Sequence, residues 1–251
     1  MMNQLKRCAL GLAAVTMAWS ATAFSQAGGR QIINQAVAIL GGGAFTDVKE
    51  IHTTGRFFSF NKGQLSGSDL FADYIKFPDM ERTEFGREKN KSITINKGGE
   101  GWVFEPRDKE WGPQPAKQAE DFAVGFKTSF DYVLRFVLNH PQTTIQNIGS
   151  EVIDFKRADI VELRDAQKNR IRLSLDRQTH LPLKMQVRRA DDAALREEIY
   201  ANWHEFQGVM TPLLVIRSTG GVKMMEIRLE TASYNTGLSD SLFAPAVTAS
   251  K

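Results

Sequence analysis

Hydrophobic and polar positions along this chain change their period twice, and each change marks a change of element. Over Gly28 to Leu40 the apolar residues Ile32, Ile33, Ala36, Val37 and Leu40 fall on one stripe at helical spacing, and Gly41-Gly42-Gly43 ends the helix. From Val48 to Asn61 aromatic and β-branched residues dominate, and Lys62-Gly63 supplies a turn. The stretch from Asp69 to Pro106 then sets three or four short strand-like runs between Pro78-Asp79, the polar Gly86 to Asn90 and Gly98-Gly99. Runs this close leave no room for helical crossovers, so they pair as antiparallel hairpins. On the strand Leu70 to Phe77, the residues Phe71, Ile75 and Phe77 share a face with Asp73, while Ala72, Tyr74 and Lys76 take the other.

Pro106 to Pro115 reads as a loop holding Trp111. Over residues 116–139 the period becomes helical: Phe122, Phe126, Phe130 and Leu134 recur every fourth position, Val137 continues the stripe, and Tyr132, Val133, Phe136 and Leu138 make the second half apolar nearly all round. Gly125 and Thr128-Ser129 are expected to divide this segment into two helices, with Ser129 as a cap, and Asn139-His140-Pro141 ends it. Beyond Pro141 the chain returns to period two and keeps it. Ile171, Leu173 and Leu175 alternate with Arg170, Arg172, Ser174 and Asp176; Leu183, Met185 and Val187 with Lys184, Gln186 and Arg188; Met225, Ile227 and Leu229 with Glu226, Arg228 and Glu230. Leu238 to Pro245 closes the chain with one helical turn.

About ten or eleven strands joined by short turns cannot form a flat sheet; such a sheet curls, closes or splits. One face is charged almost throughout and is therefore wet, so the other must be covered, and two helical segments are available to cover it. The expected fold is mainly β (α+β): a single strongly curved antiparallel sheet, an incomplete β-barrel, with helices over its concave side. An outer-membrane barrel would need apolar bands facing outward, whereas the alternation puts Arg, Glu and Lys there.

Composition adds a compartment. Lys6 and Arg7 precede an apolar run from Cys8 to Trp19, too short for a span of roughly 20 residues, and Ala21-Thr22-Ala23 fits a secretory cleavage site, with Ser25-Gln26-Ala27 as a second. The reading is a leader over 1–23 and one exported domain over 24–251, periplasmic in location. Cleavage removes Cys8, the only cysteine, which excludes disulfides and thiolate–metal chemistry, and lowers the formal charge from +3 to +1. Near-neutral, interspersed charge gives no footprint for nucleic acid and no basic block to hold the chain on anionic lipid.

No catalytic signature stands out, and the expectation is a non-enzyme without cofactor or metal. His52, His140, His180 and His204 are scattered outside any metal-ligand spacing, and Ser66-Gly67-Ser68 and Ser129 lack a nucleophile-elbow setting. The acid pairs Asp191-Asp192 and Glu197-Glu198 fall at a turn or on opposite faces of a strand and read as solvated surface rather than a glycosidase pair.

One resemblance remains. A strand ending in an aromatic residue and proline (Phe77-Pro78), an acid-and-arginine pair after it (Glu81-Arg82), and a Gly-rich turn into Gly101-Trp102-Val103-Phe104-Glu105-Pro106 is similar to the LolA/LolB type of periplasmic lipoprotein carriers, with RseB-type sensors as relatives. The resemblance implies an incomplete barrel with helices as a lid over an apolar cavity that takes the acyl chains of lipoproteins or lipids. It also implies an inner-membrane donor and an outer-membrane acceptor, and a monomeric carrier without stable membrane insertion. In that type an inward arginine before the strand-ending proline holds the lid shut; here the position is Phe77, so an apolar contact is expected instead. The cavity wall is then expected from Phe57, Phe71, Ile75, Phe77, Trp102, Leu173, Met185 and Met225 on strands, and from Phe122, Phe126, Phe130 and Leu134 on the lid. The competing expectation is an interaction or sensor module of the same fold with a solid core.

Overall fold

The computed structural model describes residues 28–246; the leader read over 1–23 lies outside them. Thirteen strands form one antiparallel sheet. The first six run outward from the centre: β1 (Glu50–Asn61), β2 (Gln64–Lys76), β3 (Met80–Phe85), β4 (Ser92–Lys97), β5 (Glu100–Glu105) and β6 (Glu110–Pro113). The chain then crosses to the opposite edge and returns through β7 (Thr144–Ile153), β8 (Lys156–Arg164), β9 (Arg170–Asp176), β10 (Pro182–Arg188), β11 (Leu195–Phe206), β12 (Val209–Thr219) and β13 (Val222–Tyr234). The two meanders meet where β13 pairs with β1, and β6 and β7 remain as open edges. The sheet is therefore curved and unclosed, as the alternation requires, but it has 13 strands rather than ten or eleven. One addition is β6, inside the expected loop Pro106 to Pro115: it pairs with β5 from Glu105↔Glu110 to Trp102↔Pro113, helped by a Phe104–Trp111 ring contact at 5.5 Å. An edge strand of four residues carrying Gly112 and Pro113 has no alternation to read, and an edge is where proline is tolerated.

The helices form where the stripes predict them. Helix α1 spans 28–39, with Ile33, Ala36 and Leu40 fully buried. It stops at Gly41, whose φ of +127° and position, 2.2 Å from the Gly208 carbonyl for any added Cβ, admit only glycine. A single turn, α2 (Gly43–Thr46), follows. The crossover between the sheet edges carries α3 (Ala116–Lys127) and α4 (Phe130–Tyr132), which widens into a π-helix over Val133–Val137. The break falls at Thr128-Ser129, and the Ser129 hydroxyl accepts the Tyr132 N–H at 3.4 Å. The π turn shifts the register, so Val133, Leu134 and Leu138 point inward, while Phe136 is left 40% exposed.

The core is lopsided. Residues of α1, α2 and the α4–π segment pack on the inner face of β8, β9 and β10, where Val161, Leu163, Ile171 and Leu173 are fully buried. Across the sheet one inward row reads Met225, Arg217, Glu198, Met185, Leu173 and Val161 through successive cross-strand pairs. Its Leu173 end is filled and its Met225 end is not. On the outer face the C-terminal 3-10 turn (Asp240–Phe243) covers β3 and β4: Arg82 donates to the Leu242 carbonyl at 3.2 Å, and Phe243 and Ile95 are fully buried.

Candidate functional site: a lidded hollow with charge in its wall

Beneath α3 and α4, on the side of the sheet made by β1–β3 and β11–β13, lies a hollow of about 670 Å³. The helices pack most fully on β8–β10 and reach Tyr200, Val215 and Tyr234 of β11–β13, and the hollow lies beside that packed region, where Phe57, Phe71 and Met225 meet no helix core. Nine of the expected residues line it: Phe57, Phe71, Ile75, Phe77, Met185 and Met225 from the sheet, and Phe122, Phe126 and Phe130 from the lid. Three do not. Leu134 and Leu173 belong to the packed core, 1% and 0% exposed. Trp102 lies on the opposite face, because the pairs Trp102↔Ile95↔Arg82↔Tyr74 put it in register with the outward side of β2. An aromatic residue after a glycine turn carries no mark of which face it takes.

The lid is held by rings. Phe77 meets Phe126 at 5.8 Å, Phe136 at 5.3 Å and Tyr132 at 6.5 Å, and Phe126 meets Phe122 at 5.5 Å. This is the apolar lid contact that Phe77 implies. An arginine takes part all the same, from the other side. Arg135 of the π segment sits with its guanidinium 5.6 Å over the Phe77 ring and 3.9 Å over Phe45, donates to the Phe45 carbonyl at 2.9 Å and pairs with Asp131. Its side chain is 1% exposed. Arg135→Met keeps the stem and removes the guanidinium, stranding the Phe45 carbonyl. It should lower the unfolding free energy by about 2–4 kcal/mol, read from urea denaturation.

Charge inside the hollow is the feature that periodicity does not announce. Arg217 on β12 binds Glu198 on β11 at 2.7 Å, and Glu198 also accepts the Tyr200 hydroxyl at 2.7 Å. Glu198 is thus part of the cavity wall, not the solvated surface expected for the pair Glu197-Glu198. The Glu198 carboxylate holds the Arg217 proton more firmly, and burial pushes the Tyr200 hydroxyl well above its ordinary range. On the facing strands, Asp73 accepts the Thr83 hydroxyl at 2.8 Å, and Glu81 lies one step further along the same face. Burial pushes Asp73 up to about 6 and Glu81 well above its ordinary value, the latter also through the neighbouring Asp73. The signal available in sequence was position alone: Asp73 shares a face with Phe71 and Ile75, and Glu81 precedes Thr83 and Phe85 at period two.

The raised Asp73 value has a consequence for stability. Between about 4 and about 6 the folded chain holds a proton that the unfolded chain has released, so this group favours folding at the acid end and opposes it once pH rises through about 6. Asp73→Asn keeps an acceptor for Thr83 and removes the charge. It should stabilise the fold by roughly 1–3 kcal/mol at pH 8, with the gain vanishing towards pH 4 in a series of melting curves.

No family profile and no curated protein matches the chain. Solved structures do match in fold. A domain named for outer membrane lipoprotein sorting, from Vibrio parahaemolyticus, aligns at a TM-score of 0.60 and 15% identity, covering 87% of this chain and 97% of that one. A DUF1329 family protein from Desulfovibrio piger aligns at 0.60 and 15%, covering 86% and 97%. A LolA superfamily protein from Nitrosomonas europaea aligns at 0.52 and 15%, covering 86% and 97%. At this identity the likeness is one of architecture, and on that ground the chain has the LolA-like fold, an unclosed antiparallel half-barrel with helices across its mouth.

Proposed function

We propose that the protein is an exported, periplasmic carrier or binder of acylated ligands, lipids or lipoproteins, that shelters hydrocarbon in the hollow beneath α3 and α4 without covalent chemistry. The observation that carries this reading is the empty volume itself. About 670 Å³ is within the range of small-molecule sites, roughly 300–1,000 Å³, and most of the named wall residues are aromatic or aliphatic. Each methylene taken from water contributes about 0.8 kcal/mol, so a tail of ~16 carbons offers about 13 kcal/mol before the costs of ordering and opening. Adaptable Met185 and Met225 in the wall suit tails of varied length. The competing reading, an interaction module with a filled interior, would need side chains to meet across the space they line.

The test is extraction. Protein purified from an expressing cell without detergent should release close to one equivalent of acyl lipid into organic solvent, identified by mass spectrometry, and should bind a fluorescent fatty-acid analogue once stripped. Extracts no richer than a blank, together with no binding of the analogue, would sink the proposal.

A further inference from the structure

Along the chain basic and acidic residues are interspersed, but the pairing of β8, β9 and β10 gathers arginines on the outer face. Leu163, Ile171 and Val187 form one buried inward row. Their chain neighbours Arg164, Arg170 and Arg188 are direct cross-strand partners in an outward row, and Arg172 stands in the outward row beside it. Side chains so placed start about 4.5–5.5 Å apart, and like charges directly opposite one another oppose folding. Neutralisation is partial. The Glu162 side chain, 7% exposed, is approached by Nε of Arg172 at 2.9 Å, of Arg164 at 3.2 Å and of Arg170 at 3.7 Å, so one carboxylate serves three guanidinium groups. Arg188 donates to the Ala193 carbonyl at 3.3 Å and has no acid partner. Glu197, on the same face, accepts the Gln186 amide at 2.7 Å. In the adjoining turn Lys168 is exposed, while Asp165 is buried and accepts from Asn169. Arg164, Arg170 and Arg172 keep their Nη groups unbonded and toward solvent. Forked donors without acceptors, repeated across three strands, suit a layer of phosphates better than one small anion.

The place of the row says which layer. The β8–β9, β10–β11, β12–β13 and β1–β2 connections all lie at one end of the antiparallel sheet. At that end Arg196, Thr219 and Met224 line the hollow. There too the hairpin tips leave Leu65 63%, Val222 42% and Met224 42% exposed, beside the exposed Lys62. Apolar tips next to guanidinium groups match the two layers of a bilayer interface, hydrocarbon and phosphate, whereas a soluble polyanion would use only the charges. We propose that this end of the half-barrel docks on an anionic phospholipid membrane through Arg164, Arg170, Arg172 and Arg188. The docking stands without the acyl-binding reading; only the passage of a chain from that membrane into the hollow rests on it.

The experiment is sedimentation with two kinds of vesicle, phosphatidylcholine alone and phosphatidylcholine carrying about 30% phosphatidylglycerol. Wild type should partition onto the mixed vesicles at least ~10-fold better than onto phosphatidylcholine, and raising NaCl from about 0.05 M to about 0.5 M should remove most of that preference. Arg164→Gln/Arg170→Gln/Arg188→Gln should lose at least ~10-fold of the partition. Lys156→Gln/Arg157→Gln/Arg177→Gln makes the same change of charge at the opposite end of β8 and β9 and should stay within about 2-fold of wild type. Both variants should bind the fluorescent fatty-acid analogue as wild type does, since none of the six residues lines the hollow.

Equal partition onto the two kinds of vesicle, a result that needs wild type alone, would overturn the docking. So would a loss in the first variant no larger than in the second. Displacement from the vesicles by soluble polyphosphate at equal phosphate concentration would give the row to a soluble polyanion and overturn it as well. Each of these results leaves the acyl-binding reading standing, because that reading is tested by the analogue and by extraction.

Discussion

Phe126→Asp should reduce acyl-chain affinity at least ~100-fold while leaving the β-rich far-UV spectrum and the cooperative melt in place. The reason lies in what Phe126 touches. It is 7% exposed, yet its ring partners are Tyr132 and the two hollow-lining residues Phe77 and Phe122, and it stands outside the main buried cluster. A carboxylate there loses the ring contact to Phe77 and puts charge where a tail would lie, but it can reach water by tilting α3 outward. Titration of the fluorescent fatty-acid analogue into wild type and variant is the measurement, with circular dichroism on the same samples. Wild-type affinity in a folded variant would remove the lid from the binding site. Phe130, four residues on, should behave differently: it packs on Phe45 at 6.4 Å, Tyr200 at 4.9 Å and Trp203 at 6.2 Å and belongs to the core, so Phe130→Asp should lower the melting midpoint as well.

Leu173→Asp should prevent stable folding altogether. Leu173 is fully buried on β9, between Met185 and Val161 in the inward row, on the half of the sheet that α1 and the α4–π segment cover. An acid there meets only hydrocarbon. The combined cost of the lost side chain and the unpartnered carboxyl is more than about 4 kcal/mol, set against a total stability of about 5–15 kcal/mol for a domain. Loss of the cooperative thermal transition and rapid proteolysis are the expected results. A variant that melts like wild type would mean that water reaches this wall and that the hollow extends across the whole sheet.

Sequence carried the architecture well and the interior poorly, for one physical reason. Alternation at period two states which residues share a face, and it places Leu173, Met185 and Met225 together on the inward side. It is silent on whether that side meets a helix or a void, because a wall residue and a core residue are both apolar. Phe126 and Phe130 show the same limit on the lid: four apart on one stripe, they part company because the chain breaks at Ser129 and resumes as a π turn. The polar residues were misjudged in a related way. Glu198 reads as solvated surface by type, but cross-strand register turns it inward, where Arg217 is its partner. Arg135 illustrates the opposite case, a charge in the middle of the most apolar segment, kept there by a carbonyl, an acid and two ring faces.

The pairing of the final strand with the first sets the order in which this protein can be completed. Until Val222–Tyr234 has been made, β1 presents a bare edge to whatever is near, and the two meanders have nothing to align them. Contacts between residues such as Ile51 and Tyr234 are about as distant along the chain as contacts can be, which makes the closing step slow. A chain cut back beyond Val222 therefore forfeits the joint on which both arms of the sheet depend.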